Sequence, residues 1–412
     1  MRDQSQDVHY IGLDIGTSTV RCVVGMLNDD DPTKPTIIGH GSAPNIGMRK
    51  GVIVHVEDVV DAVSHAVTEA ERVSGVHIKA ATVNINGSHV SGTNSKGVIA
   101  ISTANKEITN EDRMRAEEAA TIIQMPANRE IIQVFAKNYR LDGQDNIKDP
   151  VGMQGVRLEV DTHILTAATP NLRNLDTVLD KTHVLPNNTT VTSLAAAEAV
   201  LNRQQKESGT LLLDIGAGTT NMIVIEDGEV QHIAVIPVGG TNITNDLAIG
   251  LKTDLDIAEL VKINHATLDP KPVKTFVRVE YEGRSHQFDG AEIKMITEAR
   301  VEELLELVDK ELKKIHKSRK LPGGVVIVGG TAKLPGIADF TKDRLELAAR
   351  VGKLQPLNGL VDTVQDLSYT SAVGLMMLDM LLAPMAGVVT AGQPNSSVFG
   401  TVEGLIKKFK RK

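Results

Sequence analysis

The sequence predicts an α/β protein made of two related halves. The motif Asp-Ile-Gly occurs at residues 14–16 and again at 214–216, each time between two apolar segments. Apolar segments typical of strands alternate along the chain with segments of helical period, as in α/β domains. The 412 residues suffice for two to three domains with substantial hydrophobic cores.

The composition excludes several classes of protein. Asp and Glu (52) outnumber Lys and Arg (44), and the net charge of −8 argues against a nucleic-acid-coating protein, so no nucleic-acid partner is expected. Cys22 is the single cysteine, which excludes an intramolecular disulfide and fits the cytoplasm. No run of 18 apolar residues and no signal-peptide pattern occur.

The first half begins with a predicted β-hairpin followed by a helix. Residues 10–13 and 20–26 are mostly apolar and flank a turn at 14–18. Apolar residues then recur at helical spacing and predict a helix over 57–74, with Gly75 at its end.

Residues 80–165 indicate a separate small α+β subdomain. They contain short alternating segments and a predicted helix near 110–124, with Asn110 as its N-cap and acidic residues in its first turn. From residue 171 a helix, a strand and another helix follow, ending with the small-residue segment 194–201.

The second half repeats the opening arrangement at residues 211–225, with a strand, the glycine motif and a second strand. A long helix is predicted over 291–317, and a buried strand at 325–328 leads into a further glycine turn. After residue 386 the chain becomes rich in Gly, Thr, Pro, Asn and Ser, which is typical of a flexible linker.

The glycine turns have the chemistry of a phosphate site. Glycines let a tight turn present backbone N–H groups to phosphate oxygens, and neighbouring hydroxyls add donors. The carboxylates of Asp14 and Asp214 would repel phosphate alone, but they can hold a hydrated Mg²⁺ that neutralises it. Each motif taken alone is equally typical of an ordinary hairpin turn. Three such turns together favour nucleotide binding.

The motifs together carry a family resemblance. LDIGTST at 13–19, LDIGAGTT at 213–220, the glycine pair at 239–240 and VVIVGGTAKLPGI at 325–337 resemble the actin, chaperone and sugar-kinase ATPase superfamily. Within it, the chain from residue 10 to 412 is similar to the FtsA family of bacterial cell-division proteins.

The resemblance implies an actin-like ATPase fold, in which two ribonuclease H-like domains close on ATP and Mg²⁺ and an FtsA-type subdomain 1C is inserted. It implies the following division: domain 1A at 1–79 and 166–205, subdomain 1C at 80–165, domain 2A at 206–240 and 323–386, subdomain 2B at 241–322, a flexible linker at 387–397, and a membrane-targeting amphipathic helix at 398–412.

The resemblance also implies a set of nucleotide-binding residues. Asp14 and Asp214 would bind Mg²⁺ through water, and Glu259 and Lys262 would reach the adenosine, although without the resemblance they are ordinary exposed helix charges. The full set is Asp14, Gly16, Thr17, Ser18, Asp214, Gly216, Gly218, Thr219, Thr220, Gly239, Gly240, Glu259, Lys262, Gly329, Gly330, Thr331 and Leu334.

One departure from the superfamily pattern concerns hydrolysis. Where related proteins place a Gln or Glu that positions the attacking water, this chain has Thr192. Glu198 is an alternative, but a single acidic residue in an alanine-rich helix favours a structural role. We therefore expect ATP binding with slow or absent hydrolysis, and we assign no catalytic residue.

The last 15 residues predict a membrane-binding helix. Apolar residues at helical spacing form one stripe, and five basic residues oppose a single glutamate. Such a helix is too short and too charged to cross a bilayer, but it can lie in an anionic surface. Docking on the protein's own core and binding to a partner protein are the alternatives. The predicted contacts are Val398, Phe399, Val402, Leu405, Ile406, Lys407, Lys408, Phe409, Lys410 and Arg411.

The resemblance also implies the binding partners. EARVEELLELV at 298–308 matches the helix of subdomain 2B that receives the C-terminal peptide of FtsZ, with Arg300 and Glu303 in the contact; a surface ion pair of Arg300 with Glu303 or Glu298 is the alternative. The implied protein is a peripheral one that polymerises at the inner face of the cytoplasmic membrane at the septum, tethers FtsZ and recruits later division proteins. A pilus-assembly ATPase resembling PilM and a sugar kinase are alternatives, but no base for a kinase is identifiable.

Overall fold

The computed structural model describes residues 8–28, 31–102 and 105–383. Its helices and strands are numbered here in chain order. The first segment comprises β1 (His9–Ile15), β2 (Thr19–Asn28), β3 (Asp31–Pro44), β4 (Met48–Arg49), β5 (Val52–Ile53), α1 (Val56–Ser74) and β6 (Ala80–Ile85). The second comprises β7 (Ser91–Ala100), α2 (Asn110–Ala120), β8 (Arg129–Leu141), β9 (Gln144–Ile147) and β10 (Arg157–Ala168).

The remaining elements follow in three further segments. The third segment comprises α3 (Thr169–Thr182), β11 (Leu185–Val191), α4 (Thr192–Val200) and α5 (Arg203–Glu207). The fourth comprises β12 (Thr210–Ile215), β13 (Thr220–Glu226), β14 (Glu229–Ile236), α6 (Gly240–Gly250), α7 (Leu255–His265), β15 (Phe276–Tyr281), β16 (Arg284–Asp289), α8 (Gly290–Lys314), β17 (Gly324–Val328), a 3-10 turn (Gly330–Lys333), α9 (Ile337–Leu345) and β18 (Ala349–Val351). The last comprises β19 (Asn358–Gly359), α10 (Val361–Val364), a 3-10 turn (Leu367–Tyr369) and α11 (Thr370–Leu382).

Domain 1 is built on a six-stranded sheet in the order β11-β6-β1-β2-β3-β19. The predicted hairpin is confirmed, because β1 and β2 pair antiparallel across the turn at 16–18. Helix α1 covers one face and begins one residue before the predicted start; Gly75 ends it as expected, with φ 71°. Glycines allow helices to approach both faces: a Cβ on Gly41 would lie 2.1 Å from Ala66 O in α1, and one on Gly12 would lie 2.2 Å from Ala372 O in α11.

Domain 2 is built on a five-stranded sheet in the order β14-β13-β12-β17-β18. Its first hairpin has the same register as that of domain 1: Asp214 pairs with Asn221 just as Asp14 pairs with Arg21. The predicted duplication is therefore confirmed at the level of individual residue pairs. The long helix α8 is also confirmed, although it ends at Lys314 rather than 317.

The inserted subdomain, defined here as residues 87–168, has its own sheet in the order β7-β10-β8-β9 and its own apolar core. Strand β6, which the sequence division assigned to this subdomain, instead pairs in parallel with β1 and β11 of domain 1. The start at residue 80 is thus too early, because the alternating pattern of β6 continues the sheet of domain 1.

Helix α2 of the inserted subdomain differs in its ends from the prediction. Its N-cap is Thr109 rather than Asn110, since the Thr109 side chain accepts a hydrogen bond from Asp112 N and the Asp112 side chain accepts one from Thr109 N. The reciprocal pair makes Asn110 the first helical residue. The helix ends at Ala120, four residues before the predicted end.

The chain returns to domain 1 after β18, which the sequence division did not anticipate for 323–386. Strand β19 pairs with β3, and α11 packs on β1 and α4. Every residue from Thr370 to Asp379 is buried, so α11 needs cover on all sides, and domain 1 supplies it. Close contact with α4 requires Gly374, whose Cβ would lie 1.9 Å from Ala195 O.

The predicted linker at 387–397 and the predicted helix at 398–412 lie outside the described residues. Among the residues that are described, no helix combines the length and apolar character needed to span a bilayer.

Candidate functional site

A cleft of ≈ 530 Å³ lies between the two domains, where the hairpin turns of β1–β2 and β12–β13 face each other. Fourteen of the predicted nucleotide-binding residues line it: Asp14, Gly16, Thr17, Ser18, Asp214, Gly216, Thr219, Gly240, Glu259, Lys262, Gly329, Gly330, Thr331 and Leu334. The structure therefore brings together residues that lie more than 300 positions apart in the sequence.

The two hairpin turns touch each other at the base of the cleft. A Cβ on Gly218 would lie 2.7 Å from Thr17 Cγ2, so glycine is needed for the two turns to approach this closely. Thr219 Oγ1 accepts a hydrogen bond from Asn86 Nδ2 of domain 1 at 3.2 Å. Backbone N–H groups and hydroxyls from both domains thus border one space.

The two carboxylates lie buried on opposite walls. Asp14 and Asp214 are 7% and 6% exposed. Burial raises the pKa of Asp14 to about 7, against the lowering effect of Arg21, with a further rise from Asp214. Burial likewise raises the pKa of Asp214 to about 6, opposed by the hydrogen bond from Ser371 and by Arg21. A cation beside them would favour the ionised form of both carboxylates, because an opposite charge lowers a carboxyl pKa.

Hydrogen bonds hold each carboxylate in place. Asp14 Oδ1 accepts from Asn84 Nδ2 at 2.7 Å, and Asn84 Oδ1 in turn accepts from Ile15 N at 2.8 Å. Asp214 Oδ2 accepts from Ser371 Oγ at 2.9 Å. Both side chains are therefore oriented by neighbours from elements other than their own.

The third glycine turn closes tightly on Asp214. Gly329 has φ 89°, and a Cβ there would lie 2.4 Å from Asp214 Oδ1 and 2.6 Å from Ile215 O. Both the backbone conformation and the space therefore require glycine. At the glycine pair 239–240, Gly240 N donates to Gly216 O at 2.9 Å, which places the start of α6 beside the second hairpin turn.

Glu259 and Lys262 of α7 lie at the side of the cleft. Lys262 Nζ donates to Glu259 Oε2 at 2.6 Å and to Thr244 Oγ1 at 2.9 Å. The ammonium group is also 3.3 Å from Gly240 O, so it lies next to the start of α6. Both residues line the cleft, and their contact with the adenosine stays a prediction.

Three predicted residues take supporting positions instead. Thr220 is fully buried and donates its hydroxyl to Val238 O at 2.8 Å, so this hydroxyl does not face the cleft, contrary to expectation. Gly218 contacts the opposite turn, and Gly239 lies against the second turn, where a Cβ would be 2.6 Å from Ala217 O. These residues shape the turns without lining the cleft.

Several residues that the sequence motifs did not indicate also line the cleft. They are Arg21, Asn86 and Ser371. The Arg21 guanidinium lies 5.3 Å from the Tyr369 ring centroid, and its Nε is buried without a hydrogen-bond partner in the described part of the chain. Its place opposite Asp14 in the hairpin register was available as a signal, because residues paired across a turn share one side of the sheet.

The two candidates for hydrolysis occupy different environments. Thr192, at the start of α4, lines the cleft and its Oγ1 accepts from Asn84 Nδ2 at 3.1 Å. Glu198 faces away from the cleft, and its Oε2 forms a buried ion pair with Lys206 Nζ at 2.7 Å. The geometry therefore favours a structural role for Glu198.

Arg300 lies on α8, outside the cleft. Its guanidinium bonds Asp246 at 2.5 and 2.9 Å and Glu303 at 2.5 Å. The ion pair with Glu303 that the sequence left as an alternative is present, and Asp246 adds a second one.

The donor set in the cleft suits a hydrated divalent cation. Over the described ranges, no three or more His, Cys, Asp or Glu residues cluster in a way that could hold a metal. Two buried carboxylates alone fit Mg²⁺, which keeps several waters and commonly takes phosphate oxygens as further ligands. The bare Gly329 backbone beside Asp214 leaves this carboxylate uncrowded by a side chain.

The fold and the cleft define a protein of the actin-like class. A PilM–PilN type IV pilus biogenesis complex superimposes with a TM-score of 0.62 at 16% identity, covering 90% of this chain and 99% of that one. MreB5 of Spiroplasma citri bound to ADP superimposes with a TM-score of 0.54 at 14% identity, covering 90% and 96%. At these identities the likeness concerns the fold.

Sequence comparison narrows this class to one family. The model of the cell division protein FtsA matches residues 211–374, and that of the SHS2 domain inserted in FtsA matches 87–166. The cell division protein FtsA of Bacillus subtilis is 37% identical over 89% of this chain and 82% of its own length. That of Escherichia coli is 30% identical over 89% of each chain. The chain belongs to the FtsA family of cell division proteins.

Proposed function

We propose that this protein binds ATP with Mg²⁺ in the cleft and polymerises on the inner face of the cytoplasmic membrane, where it tethers FtsZ at the septum and recruits later division proteins. The observation that carries the proposal is the pair of matched hairpin turns, each with a buried carboxylate, meeting in one cleft of an FtsA-family chain. Family membership supports this function over pilus assembly or sugar phosphorylation.

The nucleotide would be held by both domains. Backbone N–H groups of the turns at 16–18 and 217–219 would receive the phosphates, and Arg21 would add a fixed positive charge. The turn at Gly329–Thr331 and the pair Glu259–Lys262 would contact the nucleoside. Bound Mg²⁺ would neutralise phosphate charge, with Asp14 and Asp214 holding its waters.

Slow hydrolysis follows from the cleft residues. Thr192 presents a short hydroxyl, already bonded to Asn84, where a longer Gln or Glu would reach a water. Glu198 is occupied by Lys206. Nucleotide would therefore act mainly as a clamp that keeps the two domains together, since both contribute contacts to it. Turnover of radiolabelled ATP tests this point, and rapid hydrolysis would contradict it.

FtsZ tethering would use the surface around Arg300. A planar guanidinium suits the carboxylates of an acidic peptide. Arg300 is 23% exposed and already pairs with Asp246 and Glu303, so a peptide carboxylate would exchange with one of them rather than meet an unpaired charge. Exchange of this kind supports a reversible tether, because the intramolecular pair offsets part of the binding energy.

Membrane attachment would use residues 398–412. Each of the five basic residues near anionic lipid contributes about 1 kcal/mol, and six apolar side chains add to it. One such tail binds reversibly, whereas several tails on one polymer bind jointly and much more tightly. Polymerisation and membrane residence are therefore expected to depend on each other.

Co-flotation of the full chain with anionic liposomes and a fluorescent peptide from the C-terminus of FtsZ tests the proposal. With Mg-ATP we expect the protein to carry the peptide to the lipid fraction. Removal of 398–412 should abolish flotation but leave peptide binding in solution. Arg300→Ala should abolish peptide binding but leave flotation. Arg344→Ala removes the ion pair between Arg344 of α9 and Glu302 of α8, and as the matched control it should change neither flotation nor peptide binding. Flotation that survives the truncation, or peptide capture that survives Arg300→Ala, would overturn the corresponding part.

A further inference from the structure

The inserted subdomain contacts domain 2 at the open edge of its sheet. Strand β14 is the last strand of the five-stranded sheet, so its outward N–H groups have no partner within that sheet. His163 of β10 supplies one: its Nε2 accepts a hydrogen bond from Ile233 N at 3.0 Å. Both residues are buried, His163 at 1% and Ile233 at 0% exposure.

The hydrogen bonds fix the protonation state of this histidine. Ile233 N can only donate, so Nε2 of His163 must be the acceptor and Nδ1 must carry the proton. Nδ1 lies 2.8 Å from Asn94 Oδ1, which accepts that proton's hydrogen bond. Gly92 makes room for the contact, because a Cβ there would lie 2.6 Å from His163 Cε1 and 2.8 Å from Ile233 O.

Other bonds tie the inserted subdomain to domain 1 and to the cleft. Gln133 Nε2 of β8 donates to Thr190 Oγ1 of β11 at 3.1 Å. Within the subdomain itself, Arg129 Nη2 donates to His89 O at 2.8 Å and to Thr166 O at 2.9 Å, close to the points where the chain enters and leaves the subdomain. Asn86, the residue just before the subdomain, bonds the second hairpin turn through Thr219.

We infer that His163 is a positioning residue that latches the inserted subdomain to domain 2, so that the subdomain moves with the closing of the cleft. If domain 2 rotated and the subdomain did not follow, the hydrogen bond from Ile233 N to His163 would break. The buried N–H would then have no acceptor, which is energetically costly. Subdomain orientation is then set by what the cleft holds. The inference rests on the proposed nucleotide binding, because nucleotide is the ligand that would close the cleft.

Amide hydrogen exchange of the full chain, with and without Mg-ATP, tests the latch. His163→Leu removes the acceptor at similar volume, and His163→Gln restores an acceptor oxygen. Tyr139→Phe is the matched control, because it removes a part-buried hydrogen bond, 2.5 Å from Tyr139 Oη to Glu117 Oε1, between two residues of the same subdomain. The peptides to follow are 14–19 and 214–220 for the cleft, 229–236 for β14 and 91–100 for the subdomain.

In the wild type, Mg-ATP should slow exchange in all four peptides. In His163→Leu, exchange at 229–236 should rise about tenfold and the effect of Mg-ATP on 91–100 should disappear, while the cleft peptides stay protected. His163→Gln and Tyr139→Phe should keep the effect on 91–100. If the effect of Mg-ATP on 91–100 persists in His163→Leu, or is lost equally in Tyr139→Phe, the role of His163 is overturned but the proposed nucleotide binding is not. If Mg-ATP does not slow exchange in the cleft peptides of the wild type, the proposed nucleotide binding is overturned as well.

Discussion

Ser371 Oγ donates a hydrogen bond to Asp214 Oδ2 at 2.9 Å. Ser371 belongs to α11, which packs on β1 and α4 of domain 1, whereas Asp214 is the last residue but one of β12 in domain 2. The last described helix therefore holds a cleft carboxylate of the opposite domain. The bond also lowers the pKa of Asp214 against the effect of burial, so it favours the charged form that a cation needs.

Ser371→Ala should weaken Mg-dependent nucleotide binding by about fivefold. The substitution removes one hydrogen bond to a buried carboxylate, a loss of about 1 kcal/mol, and raises the cost of ionising Asp214. Titration with a fluorescent ATP analogue measures the effect. Ser74→Ala removes a hydroxyl that donates within α1, to Ala70 O at 2.7 Å, and should leave the affinity unchanged. Equal losses in both variants would contradict the role of Ser371.

Gly329→Ala should lower both stability and nucleotide affinity. At φ 89° an alanine is strained, and its Cβ would lie 2.4 Å from Asp214 Oδ1. Gly283→Ala is the matched control, since φ there is 73° and a Cβ would meet nothing within 4 Å. Thermal melting with and without Mg-ATP separates strain from clash: both variants should lower the melting temperature, but Gly329→Ala alone should lose most of the stabilisation by ligand. Normal ligand stabilisation in Gly329→Ala would contradict the assigned turn.

Glu198→Gln should unfold the protein more easily without changing ATP turnover per folded molecule. Glu198 Oε2 and Lys206 Nζ form a buried ion pair at 2.7 Å, and removing one partner of such a pair costs about 3 kcal/mol. Glu302→Gln, at an exposed pair with Arg344, should cost under about 1 kcal/mol. Denaturant unfolding and a single-turnover assay measure the two effects. A selective loss of turnover in Glu198→Gln would instead identify Glu198 as the water-positioning residue.

The contact between β10 and β14 should weaken in acid. Burial, helped by the neighbouring charges of His232 on β14 and Lys137 on β8, lowers the pKa of His163 to about 3. His232 is itself paired with Glu311 of α8. Because the unfolded protein takes up the proton first, the stability that neutral His163 contributes is present above pH ~6.5 and is lost as the pH falls toward 3.

The expected loss is about 1.4 kcal/mol per pH unit below ~6.5 for this residue. Amide exchange in β10, corrected for intrinsic rates, measures the opening free energy at pH 7.0 and 5.5. The wild type should lose about 1.4 kcal/mol more than His163→Gln over this interval. His65→Gln, at an exposed site on α1, should behave as the wild type. Equal slopes for the wild type and His163→Gln would contradict the assignment.

Local sequence signals sufficed for the hairpin turns and their glycines, because the turn chemistry is contained in a few adjacent residues. The registers that pair Asp14 with Arg21 and Asp214 with Asn221 follow from the duplicated motif. Helix α2 shows the limit of such signals: Thr109 and Asn110 are both good N-cap residues, and the reciprocal bond with Asp112 decides between them.

The sequence alone does not determine which domain some elements belong to. Strand β6 alternates like the strands of the inserted subdomain, and only pairing with β1 assigns it to domain 1. Helix α11 is apolar all round, so its sequence predicts burial but not the domain that buries it. Ser371 and Asn86 reach the cleft through these long-range placements, which explains why spacing could not reveal them.

Calorimetric titration of the full chain with ATP tests most directly whether the two domains share one nucleotide. We expect one ATP per chain, and an affinity for ATP that falls at least about tenfold on removal of Mg²⁺, in Asp14→Asn and in Asp214→Asn alike. Two nucleotides per chain, or an affinity that either substitution leaves unchanged, would contradict a single site shared by the two domains.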